Sequence, residues 1–258
     1  MKIGLLKGNF VVFELKTLKY ALSIIKTYYL DVLYIRSAQI NESNQLIKAS
    51  IKPYRKLKLE DDQYHYDYEF EYHEIIDIDD TIFKKISKRT QKALIKDHSY
   101  MEMIVSKMMS KKRFLHTLQV AKLSKEIAHW HRLDEDKAYL IALLHDIAKE
   151  YPHQQVFMKQ YLPQYLEKPA PIYHQYIGAY LVRHQLLIED PIILNAIKHH
   201  TDGLDHSLYS MIVYIADKVE PTRGFDNTIH LNKTKANLYQ GYQYVYEDAQ
   251  AYLKRNKQ

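Results

Sequence analysis

Histidine and aspartate side chains recur beside apolar stretches in the second half of the sequence. His145 and Asp146 end an apolar run, His116 shares the apolar face of an earlier predicted helix, and Asp217 lies within a later apolar run. Imidazole nitrogens and carboxylate oxygens are ligands that iron, manganese and zinc all accept. Because the chain has no cysteine, a thiolate metal site and a thiol nucleophile are both excluded.

Two further positions extend this group. His174 shares a predicted helical face with Ile177 and Leu181, and the pair His199-His200 ends another predicted helix. Either His199 or His200 could face inward, since the apolar spacing behind each is equally good. A single inward histidine is more often a core residue than a ligand, but a whole set on consecutive helices favours a shared metal site.

Composition limits the classes of function. The chain has 258 residues and a net charge of +6, with a pI near 9.0. A positive protein suits anionic substrates such as nucleotides. The basic residues are spread along the chain, so nucleic acid binding is not favoured. Since no run of 18 apolar residues and no signal peptide is present, we expect a cytoplasmic protein that does not enter a membrane.

The chain changes character near residue 100. Of the 14 histidines, 11 lie between His116 and His230, and no glycine occurs between Gly8 and Gly178. A glycine-free span favours helices joined by short polar turns. We therefore predict a small α/β domain over residues 1–98 and an all-α domain over 99–258, which makes the protein mainly α.

The elements that must position the candidate side chains can be predicted from apolar spacing and capping residues. Asp134 is a predicted helix cap, and Pro171 and Pro191 are predicted first residues of helices. The predicted helices of the second half are Met101–Met109, Arg113–His131, the helix from Asp134 to Asp146, those beginning at Pro171 and Pro191, Ser207–Val219 and a final helix Lys233–Lys254.

The first hundred residues follow a different pattern. Met1–Leu6 and Val32–Ile35 are predicted strands on either side of a helix, Leu15–Tyr29, which is the arrangement of a βαβ unit. Aromatic and polar residues alternate from Tyr64 to Tyr72. This period of two predicts another strand, with its aromatic face turned toward the core.

The N-terminal segment resembles a nicotinate-nucleotide adenylyltransferase domain. The resemblance rests on Met1-Lys2-Ile3-Gly4-Leu5, Gly8, Phe10, the following helix and Asp31-Val32-Leu33-Tyr34-Ile35, and Ile86-Ser87-Lys88-Arg89 is similar to that family's C-terminal signature. The His-x-Gly-His motif of the family is absent, because Asn9–Lys16 stands in its place. The resemblance therefore implies a degenerate, non-catalytic domain that scaffolds or dimerises.

The second half resembles the HD-domain superfamily of metal-dependent phosphohydrolases, and within it the YqeK family of symmetrical bis(5'-nucleosyl)-tetraphosphatases. The segments that carry this resemblance are Lys112–Ala121, Ala142–Glu150, His174–Val182, Ile197–Thr201 and Tyr214–Pro221 with Arg223. The resemblance implies a helical bundle and symmetrical hydrolysis of diadenosine tetraphosphate to two ADP. In that family, residues after the last long helix reach the nucleotide; this sequence ends before such a segment, so affinity or base preference could differ.

The resemblance also implies roles for individual residues. It implies a divalent metal, iron in the first place with manganese or zinc as alternatives, held by His116, His145, Asp146 and Asp217. It implies catalytic roles for Asp146, His174 and His200, with His200 preferred over His199 on the alignment alone. It implies substrate binding by His174, His200, Arg113, Lys149, Lys218 and Arg223.

Other functions fit the same residues. An HD phosphohydrolase could act on another nucleotide, such as a guanosine alarmone or a nucleoside monophosphate. A non-catalytic nucleotide-binding module could keep the metal site for structural reasons. The expected partner is in each case a nucleotide, a dinucleoside polyphosphate under the first hypothesis, and the chain could also form a homodimer.

Overall fold

The computed structural model describes residues 1–38, 43–60, 64–74 and 79–255. The chain forms two compact units, Met1–Ile104 and Val105–Gln258. The described part is mainly helical, with a small parallel sheet in the first unit and a helical bundle in the second. The predicted fold class is therefore confirmed.

The described strands of the first unit form a four-stranded parallel sheet in the order β3-β2-β1-β4. The predicted βαβ unit is confirmed, because β1 pairs in parallel with β2, so that Ile3 lies opposite Val32. The strands are β1 (Ile3–Gly8), β2 (Val32–Ser37), β3 (Leu57–Leu59) and β4 (Tyr68–Tyr72), and the helices are α1 (Leu15–Tyr28), α2 (Ser43–Ile51), α3 (Ile82–Lys85), α4 (Lys88–Lys96) and α5 (His98–Ser106).

The aromatic strand differs from its prediction. Only Tyr68–Tyr72 pairs with the sheet, as an edge strand, and Tyr68 remains 37% exposed. Its aromatic side is covered in part by Tyr28 of α1, whose ring lies 4.9 Å from that of Phe70. Tyr64 lies before the strand and stacks on Tyr34, with ring centroids 4.5 Å apart. An edge strand has one neighbour and less cover, so alternation alone overstated both its length and its burial.

Side chains cap the starts of several helices of the second unit. Asp134 accepts a hydrogen bond from Lys137 N at 2.9 Å, and Pro191 occupies the first turn of its helix behind Asp190, so both predicted helix starts are confirmed. The helices are α6 (Lys111–Trp130), α7 (Glu135–Leu144), α8 (Gln154–Tyr161), α9 (Tyr173–His184), α10 (Pro191–His199), α11 (Leu208–Val219), α12 (Thr228–Ala236) and α13 (Leu238–Arg255).

The helix predicted over Met101–Met109 begins at His98 and ends at Ser106. Three other predicted helix bounds were wrong in ways that have local causes. α7 ends at Leu144, so His145 and Asp146 lie in the turn that follows. Pro171 lies in a 3-10 turn, and α9 begins two residues later. The single helix predicted over Lys233–Lys254 is two helices, because Asn237 is extended and its side chain accepts a hydrogen bond from Gln240 N at 3.0 Å. An asparagine in that position starts a new helix.

Two helices form the centre of the second unit. Every residue of α7 from Ala138 to Leu144 is buried, and so is nearly all of α11 from Ser210 onward. A helix that is apolar on all sides lies inside a domain rather than on its surface. The polar groups at the ends of these helices are therefore carried into the interior. Within the described residues, no helix is long and apolar enough to span a membrane.

Candidate metal centre

Three helices bring the predicted metal ligands together. α6 carries His116, the turn after α7 carries His145 and Asp146, and α11 carries Asp217. His145 is fully buried, and Asp146 and Asp217 are 3% and 7% exposed. Within the described part of the chain, two groups have ligand atoms that all lie within 4.8 Å of one another: His116, His145 and Asp217, and His145, Asp146 and His200.

Two buried histidines at the centre of the site, His145 and His200, have the same ring orientation, with Nε2 facing inward. His145 Nδ1 donates to the carbonyl of Ala142, and His200 Nδ1 donates to the carbonyl of Ile197 at 2.7 Å. A backbone acceptor on one ring nitrogen leaves the other as a lone pair. Both residues therefore present an Nε2 lone pair to the interior of the site.

The surroundings of His145 Nε2 indicate a metal-binding site. This atom is buried and has no hydrogen-bond partner among the described residues. It lies 3.8 Å from Asp217 Oδ1 and 3.5 Å from Asp146 Oδ2. An unpaired lone pair beside two buried carboxylates is costly unless a cation lies between them. The nitrogen and oxygen donors present suit a first-row divalent ion.

The second group joins Asp146 to the other predicted histidines. Asp146 Oδ1 lies 3.4 Å from His174 Nε2 and 3.4 Å from His200 Nε2. The two Nε2 atoms lie 3.2 Å from each other, and Thr201 Oγ1 lies 3.1 and 2.9 Å from them. Asp146 therefore lies beside three of the predicted site histidines, His145, His174 and His200.

The structure separates His199 from His200. His200 is 1% exposed and turns into the site. His199 turns away and its Nδ1 lies 3.2 Å from Asp202 Oδ1, outside the metal-ligating groups. Apolar spacing could not distinguish two adjacent residues at a helix end, whereas packing of α10 admits only one of them.

Neighbouring groups lower the pKa values of the two buried carboxyl groups, Asp146 and Asp217. Burial alone would raise the pKa of Asp146, but the imidazoles of His145 and His200 outweigh it and hold that pKa below its usual range. Burial would also raise the pKa of Asp217, which Lys218 and His116 instead hold well below its usual range. Both groups are therefore carboxylates at neutral pH.

Burial in the same interior lowers the pKa values of two of the site histidines. Burial lowers the pKa of His145 to about 4. Burial, with repulsion from His200, lowers the pKa of His174 to about 3. Neutral imidazole is the form that ligates a metal or accepts a hydrogen bond, so burial prepares both residues for such contacts at neutral pH.

The four predicted phosphate-binding cations all end at this cluster. Arg113 Nη1 lies 2.9 Å from Asp146 Oδ2, and Lys149 Nζ lies 3.3 Å from His174 Nε2. Lys218 Nζ and Arg223 Nη2 lie 2.7 and 2.9 Å from the two oxygens of Asp217. The structure therefore brings every predicted site residue into one place.

Two residues of the site were not predicted. Thr201 places its hydroxyl between His174 and His200, as described above. Glu220 is 2% exposed, and its Oε1 lies 3.1 Å from His116 Nδ1. The sequence signal for both was the family resemblance, because Ile197–Thr201 contains Thr201 and Tyr214–Pro221 contains Glu220, but neither residue was singled out there. Neither residue shares a periodic apolar face with the histidines, so helical spacing did not select them.

Comparison with known proteins places this site in a family. Residues 113–222 match the HD domain. Over 134 residues, half of this chain and 72% of the relative, the chain is 32% identical to the symmetrical bis(5'-nucleosyl)-tetraphosphatase of Bacillus subtilis. It is 35% identical over 156 residues to a probable nicotinate-nucleotide adenylyltransferase/Ap4A hydrolase of Mycoplasma genitalium, of which it spans 45%. The chain thus covers less than half of that longer relative.

A solved structure supports the fold. The crystal structure of a predicted HD superfamily hydrolase from Clostridium acetobutylicum superimposes with a TM-score of 0.55 and 24% identity, covering 62% of this chain and 89% of that one. This likeness concerns the fold alone. With the matched HD domain and the extent of similarity to the Bacillus protein, the chain belongs to the HD-domain family that includes the symmetrical bis(5'-nucleosyl)-tetraphosphatases.

Proposed function

We propose that this protein is a metal-dependent hydrolase that cleaves diadenosine tetraphosphate symmetrically into two molecules of ADP. The convergence of four cationic side chains on a buried histidine–aspartate cluster carries the proposal. The names of the Bacillus and Mycoplasma relatives support the choice of substrate. A nucleotide substrate also supports the prediction that the protein works in the cytoplasm.

The electrostatics of the site favour a polyphosphate. Arg113, Lys149, Lys218 and Arg223 supply four cationic groups, which face three buried carboxylates, those of Asp146, Asp217 and Glu220. A divalent ion would add further positive charge. The guanidinium group of arginine can donate two hydrogen bonds to phosphate oxygens, and the ammonium group of lysine supplies a compact positive charge. Both kinds of side chain therefore suit a phosphate chain.

We propose that His116, His145, Asp146 and Asp217 hold the divalent ion, with iron the first choice and manganese or zinc as alternatives. When bound, such an ion would make water a competent nucleophile near neutral pH and would offset charge on phosphate oxygens. The unpartnered Nε2 of His145 supports its place in this set.

The remaining residues would bind and orient the substrate. Asp146 lies between His145, another proposed ligand, and the pair His174 and His200, so its carboxylate can accept a hydrogen bond from a water O–H and orient that water. Lys149 donates toward His174, which places a positive charge beside that imidazole. Preorganised charges of this kind act without reorganising during the reaction.

The proposed activity predicts a defined product pattern. Purified protein loaded with Fe²⁺, Mn²⁺ or Zn²⁺ should convert diadenosine tetraphosphate into ADP alone, with no ATP or AMP, as measured by anion-exchange chromatography. A chelator should stop the reaction and added metal should restore it. Production of ATP and AMP in equal amounts would contradict symmetrical cleavage, and no product with any of the three metals would contradict the proposed activity.

A substrate panel separates the alternative functions. A guanosine tetraphosphate alarmone or a nucleoside monophosphate that is turned over faster than diadenosine tetraphosphate would favour a different HD phosphohydrolase. Tight nucleotide binding without turnover of any compound would favour a binding module. The predicted homodimer can be measured on the same sample by light scattering.

We further propose that residues 1–98 form a degenerate, non-catalytic domain. In parallel sheets, ligands bind at the carboxyl ends of strands where the strand order reverses, which here is between β1 and β4. That place is packed with aromatic rings, since Phe10 is fully buried, 4.8 Å from Phe13 and 5.6 Å from Tyr72. Rings that fill the crevice leave a nucleotide no room there.

The aromatic packing leads to an expected negative result. The full-length protein should transfer no adenylyl group from ATP to nicotinate mononucleotide, because the catalytic histidines are replaced and the crevice is filled. Formation of the dinucleotide can be followed by chromatography, with an active adenylyltransferase as the positive control. Dinucleotide formed above the rate without protein would overturn the assignment of a non-catalytic domain.

A further inference from the structure

Glu220 is a buried carboxylate that none of the roles described so far uses. It is 2% exposed, in the turn directly after α11. A carboxylate removed from water costs several kcal/mol unless its oxygens are paired. The partners of Glu220 therefore indicate why an acidic residue is placed there.

The first partner is a proposed metal ligand. Glu220 Oε1 lies 3.1 Å from His116 Nδ1, and the other nitrogen of that ring, Nε2, lies 3.2 Å from Asp217 Oδ1. A neutral imidazole carries one ring proton. If Glu220 accepts that proton at Nδ1, then Nε2 keeps its lone pair and points at the place where the ligand atoms of His145 and Asp217 converge.

The second set of partners forms the turn that carries Arg223. Thr222 donates to Glu220 from its backbone N at 2.6 Å and from its hydroxyl at 2.7 Å, which caps the 3-10 turn Pro221–Arg223. From this turn Arg223 Nη2 reaches the backbone carbonyl of Asp217 at 2.6 Å. One carboxylate therefore connects a proposed metal ligand with a proposed phosphate-binding arginine.

We propose that Glu220 is a positioning residue, which orients the His116 ring and holds it as the Nδ1–H tautomer so that Nε2 can ligate the metal. His145 and His200 obtain the same tautomer from backbone carbonyls. His116 lies within α6, and the acceptor at its Nδ1 is not a backbone carbonyl but the carboxylate of Glu220, in the turn after α11. This inference rests on the proposed metal site and is independent of which nucleotide is the substrate.

The test compares metal binding by the full-length protein and its variants, with Zn²⁺ as the probe and isothermal titration calorimetry as the measurement. Glu220→Leu removes the acceptor and should raise the dissociation constant by about 100-fold, and Glu220→Gln, whose amide oxygen can still accept from Nδ1, by about 10-fold. Thr222→Val is the matched control, because it removes a partner of the same carboxylate and leaves the contact with His116; its dissociation constant should be unchanged.

A second measurement reports the tautomer itself. In the Zn²⁺-loaded protein, nuclear magnetic resonance of ¹⁵N-histidine should show an exchange-protected Nδ1 proton on His116, and Glu220→Leu should lose that protection while keeping the wild-type spectrum elsewhere. If Glu220→Leu does not fold, the graded effect of Glu220→Gln tests the same point. Equal affinity of wild type and both variants would refute the role of Glu220.

The result also distinguishes this proposal from the proposed function. Wild-type protein that binds Zn²⁺ but does not hydrolyse diadenosine tetraphosphate would refute the substrate, and the comparison of variants would still decide the role of Glu220. Wild-type protein that binds no metal would refute the metal site and the role of Glu220 together.

Discussion

Replacing Asp146 with asparagine should lower the rate of diadenosine tetraphosphate hydrolysis by about 10²- to 10³-fold, the scale for loss of one preorganised charged group. Asp146 Oδ2 lies 2.9 Å from Arg113 and 3.5 Å from His145, and Oδ1 lies 3.4 Å from His174 and His200. The amide has nearly the same shape but no charge. The asparagine variant would therefore bind the metal more weakly. It would also lose the charged contact that orients Arg113 and the histidine rings.

Asp146→Asn needs a control that loses a carboxylate elsewhere in the same unit. Asp190 caps α10 and pairs with Lys137 at 3.0 Å, and asparagine is an equally good cap. Asp190→Asn should therefore retain wild-type turnover. Steady-state rates measured at saturating metal, with circular dichroism to confirm folding, give the comparison. A folded Asp146→Asn protein with the turnover of wild type would refute the assigned role.

Metal binding should stabilise the second unit strongly. At metal concentrations 100 to 1,000 times the dissociation constant, linkage predicts about 3 to 4 kcal/mol of added unfolding free energy. For a unit of this size, that corresponds to a rise in melting temperature of about 5–15 °C. The physical reason is that a cation would satisfy the buried Nε2 of His145, which has no hydrogen-bond partner among the described residues.

The single tryptophan makes this measurement specific. Trp130 is the last residue of α6, within the second unit, so its fluorescence follows the unfolding of that unit and not of the first. His145→Gln should abolish the rise with Mn²⁺ or Zn²⁺. His199→Gln, which changes the neighbouring histidine that turns away from the site, should keep it. An equal rise in His145→Gln and wild type would exclude His145 from the ligand set.

Residue type and periodicity were sufficient for much of the fold and for the candidate histidines and aspartates, whereas the roles of the site residues and the four cations came from the family resemblance. The helices α6, α7, α10 and α11 follow from apolar spacing together with local capping by Asp134 and Pro191, and these are interactions within a few residues. The same spacing placed His116, His145 and Asp217 on inward faces. Local free-energy preferences of this kind depend only on residues that are close together in the sequence, and so they can be predicted from it.

Other features depended on contacts between distant parts of the chain. The aromatic alternation before and within β4 could not show that the strand is short and lies at the sheet edge, since burial depends on which strands are its neighbours. The separation of α12 from α13 had a local cause, the Asn237 side chain that caps a new helix, but apolar spacing alone did not show it. In both cases the local pattern allowed more than one structure.

The sequence by itself determined which residue types could ligate a metal and which helices would carry them. Apolar spacing left His199 and His200 equal, and the family resemblance favoured His200, which the tertiary structure turns into the site. Only the tertiary structure showed that Glu220 contacts His116, 104 positions before it. Helical periodicity sets the direction of a side chain relative to its own helix, whereas a metal site requires the relative placement of several helices. That placement is fixed by packing of the whole unit, in which buried polar atoms must find partners.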